Sequence, residues 1–230
     1  MEVTNTLRIA TWNVERPTRF LKRVTEINAV LKNLGADIII LTETNDCISP
    51  GEGYSVCSTP PLAPDHDEDY YKQGERRVSI YSVFPVKAQL PITNSHSVCA
   101  LIDTPGGQLA VYGCIIGIHG RGEGFDLDLK EQIADLSQIT RQQKVCYAGD
   151  FNLSFCDNYY TKKAAKVLLE EAFSKYGIKN LTADIQMNID HIAMSESILP
   201  GVSVQYNCWN EDKSLSDHKG IMVTLQAKEI

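Results

Sequence analysis

The chain contains no CxxC pair, and its seven cysteines are odd in number and scattered through apolar runs such as Val98-Cys99-Ala100 and Tyr112-Gly113-Cys114-Ile115. That distribution fits neither a zinc ribbon nor a disulfide framework. The thiols are expected to be buried and reduced, as in a cytoplasmic protein. No apolar run is long enough to span a bilayer, so no stable membrane association is expected. Met1-Glu2-Val3-Thr4-Asn5 carries neither the basic region nor the apolar stretch of a secretory leader. An excess of positive charge is also absent: 22 Lys and Arg stand against 29 Asp and Glu, a net charge of −7. A field of that sign repels nucleic acid and anionic lipid, which excludes non-specific coating of DNA but not a local basic groove. There is no internal repeat, low-complexity block or linker, and residues 1–230 are expected to form one domain large enough to bury a substantial core. No feature points to a partner protein.

Hydrophobic periodicity divides the chain into alternating elements. Leu7–Asn13 reads as a strand, and Pro17 and Thr18 open a helix with Phe20, Val24, Ile27, Leu31 and Leu34 on one stripe, stopped by Gly35. Ile38-Ile39-Ile40-Leu41 is a continuous apolar run, typical of a strand covered on both faces, and Glu43 lies just beyond it. If those two strands are parallel, Asn13 and Glu43 reach the same edge of the sheet, where ligands of open α/β sheets bind. Taken singly, a helix cap explains Asn13 and a solvated loop acid explains Glu43. Asp46–Gly74 is polar and irregular, and its cluster Asp65-His66-Asp67-Glu68-Asp69 suits either a solvated loop or a second metal site. Val78–Phe84 alternates as a strand does. Val98–Ile102 and Gln108–Ile118 form a hairpin through Pro105-Gly106-Gly107, which leaves His119 at a strand end between glycines. Leu129, Ile133, Leu136 and Thr140 mark a second helix, and Ala165, Leu168 and Ala172 a third before Gly177. Ile189–Met194, Val202–Tyr206 and Gly220–Leu225 read as strands, the last preceded by Ser216-Asp217-His218.

The stretch Lys144–Phe155, KVCYAGDFNLSF, holds these elements together. Val145-Cys146-Tyr147 reads as a short buried strand that turns at Ala148-Gly149, and Asp150 and Asn152 then project to one side of an extended segment. A carboxylate beside a carboxamide can hold and orient a water against a phosphate, although Asp and Asn also populate ordinary turns. Strand ends therefore supply Asn13, Glu43, His119, Asp150, Asn152, Asp190, Asp217 and His218. Oxygen donors with two histidines and no cysteine suit Mg²⁺ or Mn²⁺ better than zinc. A histidine with such a metal describes attack by water on phosphorus.

The order TWNV (Thr11–Val14), LTET (Leu41–Thr44), GDFN (Gly149–Asn152), IDHI (Ile189–Ile192) and SDHKG (Ser216–Gly220) resembles the endonuclease/exonuclease/phosphatase (DNase-like) superfamily, from about Leu7 to Leu225. The resemblance implies a four-layer α/β sandwich, two mixed β-sheets packed face to face with helices outside and the site along one edge. It also implies Glu43 as main metal ligand with Asn13 and Asp217 near the ion, Asp150 and Asn152 on the water and phosphate, and His218 paired with Asp190. Asp190 and His191 face opposite ways on a strand, so His191 is read as structural. His119 resembles the histidine of DNase-like and sphingomyelinase-like members rather than the tyrosine of AP endonucleases. Glu75 is a candidate partner for it, or else a surface charge beside Arg76 and Arg77.

The substrate is less legible. Arg16, Arg19, Lys22 and Arg23 form a basic run that fits either a phosphate-binding surface or a solvated helix face, and Arg76, Arg77 and Arg121 are candidates for a phosphate-binding rim. Trp12 and Tyr147 are read as core or wall residues. The expectation is a Mg²⁺- or Mn²⁺-dependent phosphodiesterase cleaving nucleic acid. The alternatives are a hydrolase of a small or lipid-derived phosphate and a catalytically silent binding module; the intact set Glu43, Asp150, Asn152, Asp190, Asp217 and His218 weighs against the last.

Overall fold

Four consecutive aliphatic side chains leave a strand no polar face to turn to water, and in the computed structural model of the protein Ile38, Ile39, Ile40 and Leu41 are all fully buried. The structure describes residues 6–18, 21–62, 72–117 and 123–228. In chain order its elements are β1 (Thr6–Asn13), α1 (Lys22–Asn33), β2 (Ile38–Asn45), β3 (Ser55–Ser58), β4 (Glu75–Ser82), β5 (Val86–Gln89), β6 (Val98–Thr104), β7 (Gly107–Ile115), α2 (Glu123–Ile139), β8 (Lys144–Asp150), α3 (Lys163–Tyr176), β9 (Ile178–Asn180), β10 (Asp190–Ser195), β11 (Val202–Trp209) and β12 (Gly220–Ala227). The strands form two mixed six-stranded sheets, ordered β11-β12-β1-β2-β4-β3 and β5-β6-β7-β8-β10-β9.

The period-2 alternation of strand side chains gives each sheet two apolar faces, and each face is covered. Ile9, Ile40, Val78 and Val223 of the first sheet meet Val98, Val111, Cys146 and Ile192 of the second in a shared core. Outside the first sheet, Trp12, Ile39 and Leu41 pack on Val24, Ile27 and Leu31 of α1. Outside the second, Tyr112, Tyr147 and Phe151 pack on Leu129 and Leu136 of α2 and Leu169 and Phe173 of α3. Helix, sheet, sheet and helix are the four layers expected. Cys57, Cys99, Cys114 and Cys146 are buried as expected, whereas Cys47 and Cys208 are half-buried and Cys156, on a loop, is exposed. Among the described residues, no helix is long and apolar enough to cross a membrane.

Several boundaries differ from the sequence reading, each for a local reason. Helix α1 begins at Lys22 rather than at Pro17-Thr18, because Glu15 and Arg16 take left-handed backbone (φ 54° and 48°) and the Arg16 N–H bonds the Glu43 carbonyl at 2.8 Å. Val24, Ile27 and Leu31 are buried as the stripe requires, whereas Phe20 lies outside the described residues. On α3 the stripe is rotated: Leu169 and Phe173 are buried with Ala165 and Ala172, and Leu168 is 38% exposed. Strands β3, β5 and β9 were not expected. All three are short edge strands, where one side lacks a neighbour and an apolar alternation is not needed.

The expected turn at Ala148-Gly149 is absent. Strand β8 continues through Asp150, and Gly149 (φ 141°) lies opposite Cys114 in the parallel β7. A Cβ there would stand 2.0 Å from the Cys114 carbonyl oxygen, so the glycine serves close approach of two strands rather than a turn. Gly149→Ala is expected to destabilise the protein by about 3 kcal/mol or more, read as a lower urea midpoint.

Candidate active site

Strands β1 and β2 run parallel, with Asn13 opposite Thr42, so Asn13 and Glu43 emerge at one edge of the first sheet. Glu43 holds a left-handed backbone (φ 46°). In the second sheet the antiparallel register of β8 and β10 sets Asp150 directly opposite Asp190. Asn13 ties the two sheets together: its Nδ2 donates to Glu43 Oε1 at 3.2 Å and to Asp150 Oδ2 at 3.1 Å. Asn152 is also left-handed (φ 50°), and its N–H donates to Asp150 Oδ1 at 2.9 Å. Its side-chain amide donates to the Ile116 carbonyl at 2.9 Å. Asp150 and Asn152 therefore converge through a tight turn, not along an extended segment as expected, and Phe151 between them is buried against Tyr147 and Phe173. Non-glycine residues in left-handed conformation persist where surrounding contacts hold them, and such positions concentrate at functional sites.

His218 arrives on the loop before β12. The Trp12 indole N–H (3.1 Å) and the Asn210 amide (2.7 Å) both donate to its carbonyl, and its own N–H donates to Ser216 Oγ at 3.2 Å. The Ser216 hydroxyl in turn donates to the Asn13 carbonyl at 2.6 Å. Ser216 belongs to a motif visible in the sequence, but Asn210 carries no local signal, since its partners are set only by the folded loop. So held, His218 Nδ1 donates to Asp190 Oδ2 at 2.6 Å. Potential ligand atoms of Asp150, Asp190 and His218 all lie within 4.8 Å of one another.

The electrostatics of this cluster are unusual. Burial pushes the Asp150 carboxyl up to about 7, with the charges of Asp190 and Glu43 adding to the rise and His218 and the Asn152 N–H opposing it. Burial acts against the imidazolium of His218, but Asp190 and Asp150 outweigh it and raise the group to about 11. Asp190 Oδ1 is buried without a hydrogen-bond partner. Asp150 and Asp190 thus face one histidine, Glu43 adds a third negative charge beside Asp150, and an orphaned carboxylate oxygen remains: a donor set that fits a bound cation.

His191 points the other way from Asp190. It is fully buried, its Nε2 donating to the Leu153 carbonyl at 2.9 Å and its Nδ1 lying 3.0 Å from Thr182 Oγ1. Burial pushes it down to about 4 from 6.5. The unfolded chain therefore takes up a proton between those values that the folded protein refuses, and stability falls as pH drops through this window. The fall is expected to reach about 3 kcal/mol. Urea titrations at several pH values should show it in the wild type and not in His191→Gln.

The remaining candidates are less central. The Asp217 side chain is 68% exposed and its Oδ1 lies 3.7 Å from His218 Nε2, outside the Asp150–Asp190–His218 group. Glu75 is not a surface charge: it is buried and takes both Arg16 Nε (2.6 Å) and Nη2 (3.0 Å). Its proposed partner His119, together with Arg121 and the acidic cluster Asp65–Asp69, lies outside the described residues. Arg76 is engaged by the Asp46 carboxylate and the Thr59 carbonyl rather than held open. Arg16 pairs with Glu75 and Arg23 with Glu15, whereas Lys22 meets Glu26 only at the surface and stays exposed.

The Endonuclease/Exonuclease/phosphatase family model matches residues 10–218, which takes in every residue of the cluster. The chain belongs to this family. It is accordingly a hydrolase of phosphoester bonds, in a family generally dependent on a divalent metal. No curated protein sequence matches it. Its fold is similar to the endonuclease domain of TRAS1, a telomere-specific non-LTR retrotransposon (TM-score 0.70, 16% identity, 97% of this chain and 100% of that one). It is also similar to the 3' phosphatase NExo from Neisseria bound to product DNA hairpin (0.67, 14%, 97% and 100%) and to an endonuclease/exonuclease/phosphatase from Beutenbergia cavernae (0.68, 16%, 97% and 72%).

Proposed function

We propose that the protein is a Mg²⁺- or Mn²⁺-dependent phosphodiesterase that cleaves nucleic acid, with residues 1–230 acting as one unit. The observation that carries this reading is the meeting of Asn13, Glu43 and His218 from one sheet with Asp150 and Asp190 from the other, around an unpartnered Asp190 oxygen. An all-oxygen donor set beside an imidazole suits a hard divalent ion, which Glu43 would hold with Asn13 and Asp217 nearby. When bound, such an ion neutralises developing charge on the phosphoryl oxygens and makes water more acidic. The retrotransposon endonuclease domain and the DNA-bound Neisseria phosphatase support nucleic acid as the substrate class.

Two groups with oppositely placed affinities then divide the proton work. Asp150, whose proton affinity lies near neutrality, takes the proton of the attacking water, and the Asn152 N–H keeps its carboxylate aimed. His218, held cationic by Asp190, gives its Nε2 proton to the departing ester oxygen as the bond from water to phosphorus forms and the phosphorus–ester bond breaks. Asn13 fixes the separation between Glu43 and Asp150. The buried thiols fit a reducing compartment such as the cytoplasm.

The test is a substrate panel with Mg²⁺, with Mn²⁺ and in EDTA: plasmid, single-stranded DNA, RNA, abasic duplex, inositol phosphates and a chromogenic phosphodiester. Metal-dependent cleavage of a nucleic acid is expected. Turnover of the small phosphates alone would overturn the nuclease reading and favour a small or lipid-derived phosphate.

A further inference from the structure

Three loops surround the His218 side of the cluster: residues 151–162 after β8, 181–189 before β10 and 210–219 before β12. Asp157 clasps the first two. One of its oxygens accepts the Ser154 hydroxyl and the Tyr159 N–H (2.9 Å), and the other accepts the Met187 N–H at 2.6 Å. The Ser154 N–H donates to the Tyr160 carbonyl at 3.0 Å. The third loop is tied in by Lys219, whose Nζ donates to the Gln186 carbonyl at 3.2 Å, and by Lys213, whose Nζ donates to the Tyr159 hydroxyl at 2.8 Å.

These bonds hold apolar side chains out in solvent. Tyr160 is 44% exposed and Met187 is 55% exposed, the latter on left-handed backbone (φ 50°). The Tyr159 and Tyr160 rings stand 5.3 Å apart, tilted by 54°, and the Lys213 ammonium lies 5.2 Å from the Tyr159 ring centroid. Nothing in folding rewards exposing three such groups on a clasped frame. Aromatic faces beside a phosphoester site match the flat faces of nucleobases, which stack on tyrosine whatever their identity. Charge points the same way. With a net charge of −7 and Arg16, Arg23 and Arg76 paired with acids of the chain, stacking would add affinity that these arginines do not supply.

We propose that Tyr159, Tyr160 and Met187 form a ledge on which an unpaired base of the substrate stacks, next to the phosphate being cleaved. The inference rests on the nuclease reading and narrows it to single-stranded or splayed nucleic acid. Lys213 sets the angle of Tyr159, and Asp157 is a positioning residue for the whole ledge.

The experiment compares kcat/KM in Mg²⁺ for a short oligothymidylate and for a baseless chain of the same length built from tetrahydrofuran abasic units. The wild type is expected to favour the base-bearing chain by about tenfold or more. Tyr159→Ala and Tyr160→Ala should reduce that ratio towards one, through KM for the oligothymidylate, and Tyr160→Phe should restore it. Circular dichroism melting of each variant separates loss of the ledge from loss of the fold. A ratio near one in the wild type, or a full preference surviving in both alanine variants, would overturn the proposal and leave the ledge as a contact for another protein. If the wild type cleaves neither chain yet hydrolyses a chromogenic phosphodiester, the nuclease reading itself fails, and the ledge assignment with it.

Discussion

Asp150→Asn is expected to lower kcat/KM by about three orders of magnitude while making the metal-free protein more stable. The two effects share one cause. Asp150 is 2% exposed and faces Asp190 and Glu43, so its ionised form is disfavoured and its carboxyl rises from 3.8 to about 7. A carboxyl whose folded value lies above its unfolded value keeps its proton longer in the folded state. Stability therefore drops by about 1.4 kcal/mol per pH unit between those values, and the full penalty of about 4 kcal/mol applies above pH 7. An asparagine amide carries no such penalty. It gives up one acceptor, since Asp150 receives Asn13, the Asn152 N–H and the Asn152 amide, at a cost of about 1 kcal/mol. Thermal unfolding in EDTA at about pH 8 should thus show a higher midpoint for Asp150→Asn, and adding Mg²⁺ should stabilise the wild type much more than the variant. A lower midpoint for the variant in EDTA, or more than a tenth of wild-type activity, would contradict the role assigned to this carboxylate.

His218→Ala should be costly in both respects. The imidazole is the hydrogen-bond partner of Asp190 Oδ2, and Oδ1 already has none, so truncation leaves a carboxylate that is 1% exposed with no charge partner. Breaking a buried ion pair from one side destabilises by about 3 kcal/mol or more. The loss of a cationic donor to the transition state is expected to cost about a thousandfold in kcat. Adding Asp190→Asn removes the stranded charge, and the double variant should regain most of the lost stability and none of the activity. That pattern is a strong positive coupling in stability with no coupling in rate. Additive stability losses would mean that the 2.6 Å contact does not hold an ion pair.

The sequence reveals the elements whose patterns follow from burial and leaves out those that depend on neighbours. Ile38–Leu41 and the Val24–Ile27–Leu31 stripe are legible because a covered strand and a half-covered helix each impose a period. Short edge strands such as Ser55–Ser58 are not, because partial coverage imposes none. At the site, strand ends announce Asn13, Glu43, Asp150, Asp190 and His218, and alternation alone separates Asp190 from the buried His191. Ion pairing defeats the reading of the basic residues. Arg16 meets Glu75 across 59 positions and Arg76 meets Asp46 across 30, distances at which sequence spacing carries no information. The Asp157 clasp on Met187 is hidden for the same reason, with 30 positions between its ends.

Product release from a fluorescent single-stranded oligonucleotide, measured in Mg²⁺ and in EDTA, tests metal-assisted cleavage of a nucleic-acid phosphodiester at this cluster. The wild type is expected to cleave it in Mg²⁺, to lose that cleavage in EDTA, and to lose nearly all of it in Asp150→Asn. Cleavage that continues unchanged in EDTA, or that survives in Asp150→Asn, would contradict metal-assisted cleavage at this cluster.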